Sequence, residues 1–381
     1  MSTESRKQIN VLIIEDEAVQ VQVLNDAIDD FNEESEDYKI ASTPVFSYSD
    51  SLNLLLTEDF DVAIIDLNLD QTKTELSELD GNNLVDIIVN KMRIPIIIRT
   101  GNPTSFTSTQ ISPKNSFLKI FTKDESVDDI LEQITKWYNL GLSSTLGTKG
   151  VLEDCLNKLF WEQISSNLSE WEKIDITTPE QERALIRYTI NVLNSYLEID
   201  SESGKFEFFH PAEVYIKPPI KSKLFFGDIL KHQSGSQYII LTPSCEMAQS
   251  KYKKILLCKI SEPNNIVGFV DAKDKYLSNQ SNTRKSALEK WFRNGHSDSI
   301  GYHFLPPYSD FEGGFIDFQD IITVDPEVEG FNDEYVKIAT VTSQFAKDIS
   351  SRFTLYYARQ GQPNLNSELI INSLIQVTAE V

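Results

Sequence analysis

Three acidic side chains, a hydroxyl and an ammonium each stand where a short aliphatic run ends. Glu15 and Asp16 follow INVLII (9 to 14), and Asp66 ends FDVAIID (60 to 66). Thr100 ends IPIIIRT (94 to 100), and Lys123 follows FLKIFT (117 to 122). An aliphatic run that stops abruptly at a charge is the pattern of a buried parallel strand emerging at its carboxyl end. Four such strands in one sheet deliver these side chains to a single edge. Three carboxylates gathered there repel one another unless a cation sits among them, and a hard, oxygen-liganded ion such as Mg2+ suits the cluster. An aspartate beside Mg2+, with Lys123 and Thr100 to hold further oxygens, is equipped to take a phosphoryl group as a carboxylate nucleophile.

Each residue also has an ordinary structural role open to it. Glu15 and Asp16 could be helix N-terminal acids that satisfy the dipole, Asp66 could cap a turn, and Thr100–Gly101 alone reads as a turn. Position, more than identity, makes the case. The elements that must position them alternate. IASTPVF (40 to 46) supplies a fifth strand, and helical spacing of apolar residues recurs over 17 to 31, 49 to 57, 81 to 92 and 125 to 140. Five strands alternating with helices predict an α/β fold, a flavodoxin-like doubly wound parallel sheet whose ligand site lies at the strands' carboxyl ends.

VLIIEDE with its acidic pair, DVAIIDLNL, IPIIIRTG and FTK in this order resemble the receiver domain of two-component response regulators over residues 7 to 140. The resemblance implies that Asp66 accepts phosphate from a histidine kinase or phosphotransfer protein. It further implies that Glu15 and Asp16 hold Mg2+ with Asp66 and the backbone carbonyl of Asn68, and that Thr100 and Lys123 contact phosphoryl oxygens. The family pattern is departed from at Asp124, where a proline is usual, and at Ile120, where an aromatic is usual. The segment from Asp66 to Gly81 is longer and more acidic than is customary. Lys119 competes with Lys123 for the lysine role but lies inside the strand pattern.

The chain has 381 residues, enough for at least two cores, and a formal charge of -23. No apolar run approaches the roughly 20 residues a bilayer needs, and MSTESRKQIN is no signal peptide, so a cytoplasmic protein is expected. Cys155, Cys245 and Cys258 lack C-x-x-C spacing and read as reduced core thiols. The acidity is uneven. Residues 215 to 293 alone are positive, at +8.

After the Gly/Ser/Thr-rich stretch at 139 to 150, apolar spacing predicts helices over 151 to 168 and 177 to 197, the second capped by Thr178 before Pro179. They form a helical connector (141 to 200), read as a dimerising or relay element. From 201 to 381 the pattern is that of an α+β domain with a small barrel-like β region: strand-like runs in KFEFFHPAEVYIKPP, KLFFGDIL, QYIILTP, KKILLCKI and NNIVGFV. A helix over 281 to 292 follows, then strands in YHFLPPY, GGFIDFQDIITV and EYVKIATV, and a last helix over 343 to 361 ending at Gly361 and Pro363. FGDILKHQSGSQYIILTPSCEMAQSKYKKILLCKI resembles, faintly, the SH3-like barrel of PemK and MazF toxin ribonucleases, and carries over no catalytic residue.

The lysines between Lys217 and Lys259 alternate with Tyr215, Phe225, Phe226, Tyr238 and Tyr252, a composition that could hold phosphates and stack bases. A solvated sheet face is the simpler account. Cys245 and Glu246 with His210, His232 or His303 could form a nucleophilic dyad, but a small core thiol is the simpler account again. His296 and His303 have no standard zinc spacing. The expectation is thus a response regulator that switches a non-standard output domain through contacts with an effector protein, with room for a homodimer. A phosphorylation-gated nucleic-acid binder or ribonuclease-like effector and a phosphate sink are the rivals.

Overall fold

The aliphatic runs of the first third form five parallel strands: β1 Lys7–Ile14, β2 Tyr38–Val45, β3 Val62–Ile65, β4 Ile96–Thr100 and β5 Leu118–Thr122. Their order is β2-β1-β3-β4-β5. This is the order of flavodoxin-like sheets, whose ligand crevice opens between the first and third strands. In the computed structural model, residues 6–69, 81–173, 177–197, 203–205, 208–295, 297–359 and 363–379 are described.

A side-chain period of two divides each central strand between two cores. Leu12 and Ile14 of β1 pack with α2 (Tyr48–Thr57) and α3 (Gly81–Lys91) through Leu55, Leu84, Val85 and Ile88. Ile9, Val11 and Ile13 pack with α1 (Ala18–Glu34) and α4 (Val127–Asn139) through Leu24, Ile28, Ile130, Ile134 and Trp137. Burial on both faces is why these strands read as continuous apolar runs.

The connection from β4 to β5 departs from the alternation. Pro103 and Pro113 break it, and it contains a single 3-10 turn, Pro103–Ser105, with no α-helix. It is nevertheless anchored. Phe106 and Ile111 pack on the α2/α3 core. The Asn82 amide donates to the Ser105 carbonyl at 3.1 Å and its carbonyl oxygen accepts from the Thr107 N–H at 2.8 Å.

The chain divides into two units, Met1–Phe206 and Glu207–Val381, so the helices that follow the parallel sheet fall with the first. These are α5 Leu142–Leu146, α6 Val151–Lys158, α7 Leu168–Glu172 and α8 Thr178–Leu197. The helix expected over 151 to 168 is not regular: a π-helical turn, Leu159–Ile164, follows α6. Thr178, the expected cap, is instead the first helical residue of α8, so the helix begins one residue earlier than expected. Glu180 folds back on Thr177, accepting its N–H at 3.0 Å and its hydroxyl at 2.8 Å.

The second unit is built on seven strands, β6 Tyr215–Ile216, β7 Asp228–His232, β8 Gln237–Ile240, β9 Ile255–Ser261, β10 Tyr302–Leu305, β11 Gly314–Val324 and β12 Tyr335–Val341. Their order is β10-β11-β9-β8-β7-β12-β6, and every pairing is antiparallel. The ladder stays open, yet the sheet curls. The Tyr215 hydroxyl on edge strand β6 donates at 2.7 Å to the carbonyl of Pro306, one residue past the opposite edge strand β10. Tyr215, Leu305, Phe311 and Ile316 consequently share one core.

Among the described residues six helices follow in this unit: α9 Ser244–Ala248, α10 Val267–Ser278, α11 Asn282–Phe292, α12 Phe331–Glu334, α13 Ser343–Ala358 and α14 Ser367–Ala379. Three expectations change here. Among the described residues of KFEFFHPAEVYIKPP only Tyr215–Ile216 is strand, preceded by a 3-10 turn, Pro211–Val214. NNIVGFV is no strand: it leads into α10, with Ile266 and Phe269 three apart facing Trp291 and Phe315. The helix over 343 to 361 is not the last, because α14 follows it. The stop at Gly361 lies outside the described residues. Cys258 alone is a buried thiol, while Cys155 is half-buried and Cys245 exposed.

Candidate functional site

Strand register brings the acidic residues to one level. Ile14 of β1 pairs with Ile65 of β3, so Glu15 and Asp66 leave neighbouring strands together, and the Asp66 N–H donates to the Ile14 carbonyl at 2.9 Å. Glu15, Asp16 and Asp66 each present a carboxylate oxygen within 4.8 Å of the others. Glu15 and Asp66 are buried. Asn68 is exposed, and its N–H donates to Asp66 Oδ1 at 3.2 Å.

Lys123 arrives from the far side of the site. Thr100 pairs with Thr122 across β4 and β5, and the Lys123 N–H donates to the Thr100 carbonyl at 3.2 Å. The ammonium then reaches across β4 to lie 2.8 Å from Asp66 Oδ2 and 3.0 Å from Glu15 Oε2, with Glu17 Oε1 at 3.9 Å. Lys119 is exposed within β5. Of the two lysines, Lys123 is the one that meets the carboxylates. Thr100 is fully buried at the end of β4.

Electrostatics follow the geometry. Burial raises the Glu15 carboxyl above its ordinary range, the Asp66 charge adds to this, and Lys123 opposes it. Burial alone would lower the Lys123 ammonium. Its hydrogen bonds and charge interactions with Asp66 and Glu15 outweigh that and raise it.

Sequence reasoning missed Arg99. A charged residue one position before a strand's end reads as the edge of the sheet, yet Arg99 is 2% exposed. Its guanidinium donates to Gln20 Oε1 of α1 at 2.8 Å and to the Lys123 carbonyl at 3.2 Å. Burial lowers its affinity for the proton, and the charges of Glu15 and Asp66 partly restore it. Nε has no hydrogen-bond partner among the described residues. Gly81 was also missed in this role: as the first residue of α3 it lies against the backbone of Asp66 and Leu67. The acidic insertion between these elements, at 70 to 80, lies outside the described residues, as does His296.

The second unit does not assemble the other candidates. Among the described residues no hydrogen bond joins Cys245 to a histidine. Tyr215 is buried in one core of the curled sheet, and Phe226, Phe225, Tyr238 and Tyr252 are half-buried against its two cores. Of the lysines, Lys217 pairs with Asp310, Lys259 with Asp320 at 3.3 Å, and Lys221 lies over the Phe225 ring. Lys231, Lys251, Lys253 and Lys254 remain exposed.

Among the described residues no helix is long and apolar enough to cross a membrane. No protein-family model matches the chain, and no curated protein does. Solved structures do match its N-terminal third. The receiver domain of a Francisella response regulator is 20% identical over 35% of this chain and 98% of that one, with a TM-score of 0.27. The non-phosphorylated receiver domain of RcsB from Escherichia coli is 19% identical over 35% and 95%, with a TM-score of 0.27. The response regulator TrrA from Thermotoga maritima, solved in complex with Mg2+ and BeF, is 16% identical over 34% and 98%, with a TM-score of 0.25. All three matches fall on the same third of the chain.

Proposed function

We propose that the first unit is a receiver that accepts a phosphoryl group on Asp66, and that the protein acts as a response regulator. The observation that carries this reading is the position of Lys123 Nζ, 2.8 Å from Asp66 and 3.0 Å from Glu15, beside a third carboxylate from Asp16. The all-oxygen donor set of Glu15, Asp16 and Asp66 fits a hard divalent cation such as Mg2+, with the Asn68 carbonyl as a fourth donor. When bound, the cation would neutralise phosphoryl oxygens and template their approach.

The chain's own residues do the rest. Asp66 is the nucleophile: a bond forms from its carboxylate oxygen to phosphorus while the P–N bond of a donor phosphohistidine breaks. The donor imidazole leaves with the electron pair. Lys123, held on Asp66 beforehand, stabilises the charge that builds on the phosphoryl oxygens, and the Thr100 hydroxyl donates to one of them. The donor is a histidine kinase or phosphotransfer protein, as the resemblance implies; residues 1 to 140 contain no histidine of their own. The second unit is the output, acting through an effector protein.

Incubation of the full chain with acetyl phosphate and Mg2+, followed by intact-mass spectrometry, tests the proposal. One phosphoryl adduct is expected on the wild type and none on Asp66→Asn. An unmodified wild type, or an adduct that survives the substitution, overturns it.

A further inference from the structure

We propose that the chain forms a homodimer through a parallel coiled coil of α8. The inference is independent of the chemistry at Asp66. Helix α8 is apolar over a wider arc than its own chain covers. One stripe, Leu185, Tyr188 and Val192, is half-buried, with Tyr188 edge-on to Trp171 at 5.5 Å. A second stripe is Ile186, Ile190, Leu193 and Leu197. Its spacing of four, three and four residues is the seam of a heptad repeat. Leu193 is half-buried, but Ile186, Ile190 and Leu197 are 59%, 53% and 69% exposed. No described side chain of α8 is fully buried. A helix of 20 residues with so little tertiary packing lacks the main source of helical stability.

A seam of this period is shaped for another helix, and one flanking pair of charges, Glu182 and Arg187, matches a second copy of this one. Arg183 falls at the a position ahead of the seam and is exposed. In the register set by the seam, Glu182 occupies the g position and Arg187 the e position of the following heptad. Parallel coiled coils bring g of one strand against the following e of the other. Each Glu182 therefore meets the Arg187 of the second copy, and two-fold symmetry makes the pair twice. The next such pair, Thr189 and Asn194, is uncharged and carries no repulsion. An antiparallel arrangement would instead set g against g and e against e, and the complementarity would be lost.

The seam spans fewer than two heptads, so the dimer is expected to be modest, with a dissociation constant on the order of 10 µM. Sedimentation of the full chain across that range is the experiment. The wild type should show a monomer–dimer equilibrium, and Ile190→Glu should remain monomeric while keeping the wild-type circular dichroism and melting temperature. Glu182→Lys and Arg187→Glu, both on the surface, should each weaken the dimer by roughly three- to tenfold. Mixing these two variants should restore association, because each then supplies the charge the other lacks. A wild type monomeric throughout the range overturns the proposal. So does a dimer that survives Ile190→Glu, or single charge variants whose mixture associates no better than either alone.

Discussion

A Cβ placed on Gly81 would stand 2.2 Å from the carbonyl oxygen of Asp66 and 2.7 Å from the Cα of Leu67. Helix α3 thus begins in direct contact with the backbone that carries the candidate phosphoacceptor. Both obstructing atoms are main chain, so neither can rotate away. Gly81→Ala should push α3 from the strand end at a cost of about 1–3 kcal/mol, typical of overpacking. Chemical denaturation would measure the loss, and slower adduct formation with acetyl phosphate should accompany it.

Lys123 is the charge that lets Glu15 and Asp66 remain buried together. Lys123→Met should destabilise the first unit by about 3 kcal/mol, the usual consequence of stripping one partner from a buried ion pair. Added Mg2+ should raise the melting temperature of this variant more than that of the wild type, since the carboxylates then have no other cation. Equal shifts would argue against a cation site at these three residues.

Arg99 and Gln20 allow two roles to be separated. Gln20→Ala removes the acceptor of a buried guanidinium and should cost about 1–3 kcal/mol. Arg99→Met removes donor and charge together and fills similar volume, so stability should change by less than about 1 kcal/mol. The Lys123 carbonyl loses its tether in that variant. Its phosphorylation rate should therefore fall even though its denaturation midpoint does not.

His303 makes the second unit acid-sensitive. Burial, reinforced by the Arg352 charge, pushes the imidazole down from 6.5 to about 3. Asp348 stands 3.7 Å away and is largely exposed, too distant to hold the proton. The folded pKa is depressed, so the unfolded chain binds the proton first. The contribution of His303 is whole above about pH 6.5 and is lost as pH falls towards about 3, by up to about 1.4 kcal/mol per unit. Urea midpoints of the second unit at pH 7 and pH 5 should differ in that direction, and His303→Leu should flatten the slope.

Lys337 and Asp228, 109 residues apart, form a closed polar cluster in the curled sheet. The ammonium donates to the Lys221 carbonyl at 2.6 Å, the Lys223 carbonyl at 2.7 Å and Asp228 Oδ2 at 3.1 Å. Asp228 also accepts from the Thr340 hydroxyl and the Phe225 N–H. Lys337→Met should cost about 3–5 kcal/mol because a buried carboxylate loses its counter-charge. Adding Asp228→Asn to it should recover part of the loss, a coupling that a double-mutant cycle measures.

The parallel sheet and the identity of its edge residues are legible in the amino-acid pattern alone. Strands buried on both faces must be aliphatic throughout, so a run that ends in Glu15, Asp66, Thr100 or Lys123 reports both the strand and where it emerges. The same local patterning placed β8 to β12 closely, whereas β7, expected over 223 to 230, runs Asp228–His232. It failed for NNIVGFV, where an apolar run too short to show a period of 3.6 entered a helix, and for α14, whose Leu369, Ile370, Ile371, Leu374 and Ile375 are all exposed.

Contacts between distant segments were decided only by the tertiary structure. Lys123 could be chosen over Lys119, but its bridge between Asp66 and Glu15 depends on strands three apart in the sheet. Arg99 looked like the end of a strand because nothing nearby in sequence announces Gln20. The open ladder curls until Tyr215 meets Pro306, turning one aromatic that resembled part of a base-stacking surface into core. Periodicity reports which face of the backbone a side chain leaves. What stands opposite that face is fixed by the global packing, and that is where charge pairing, burial and proton affinity are set.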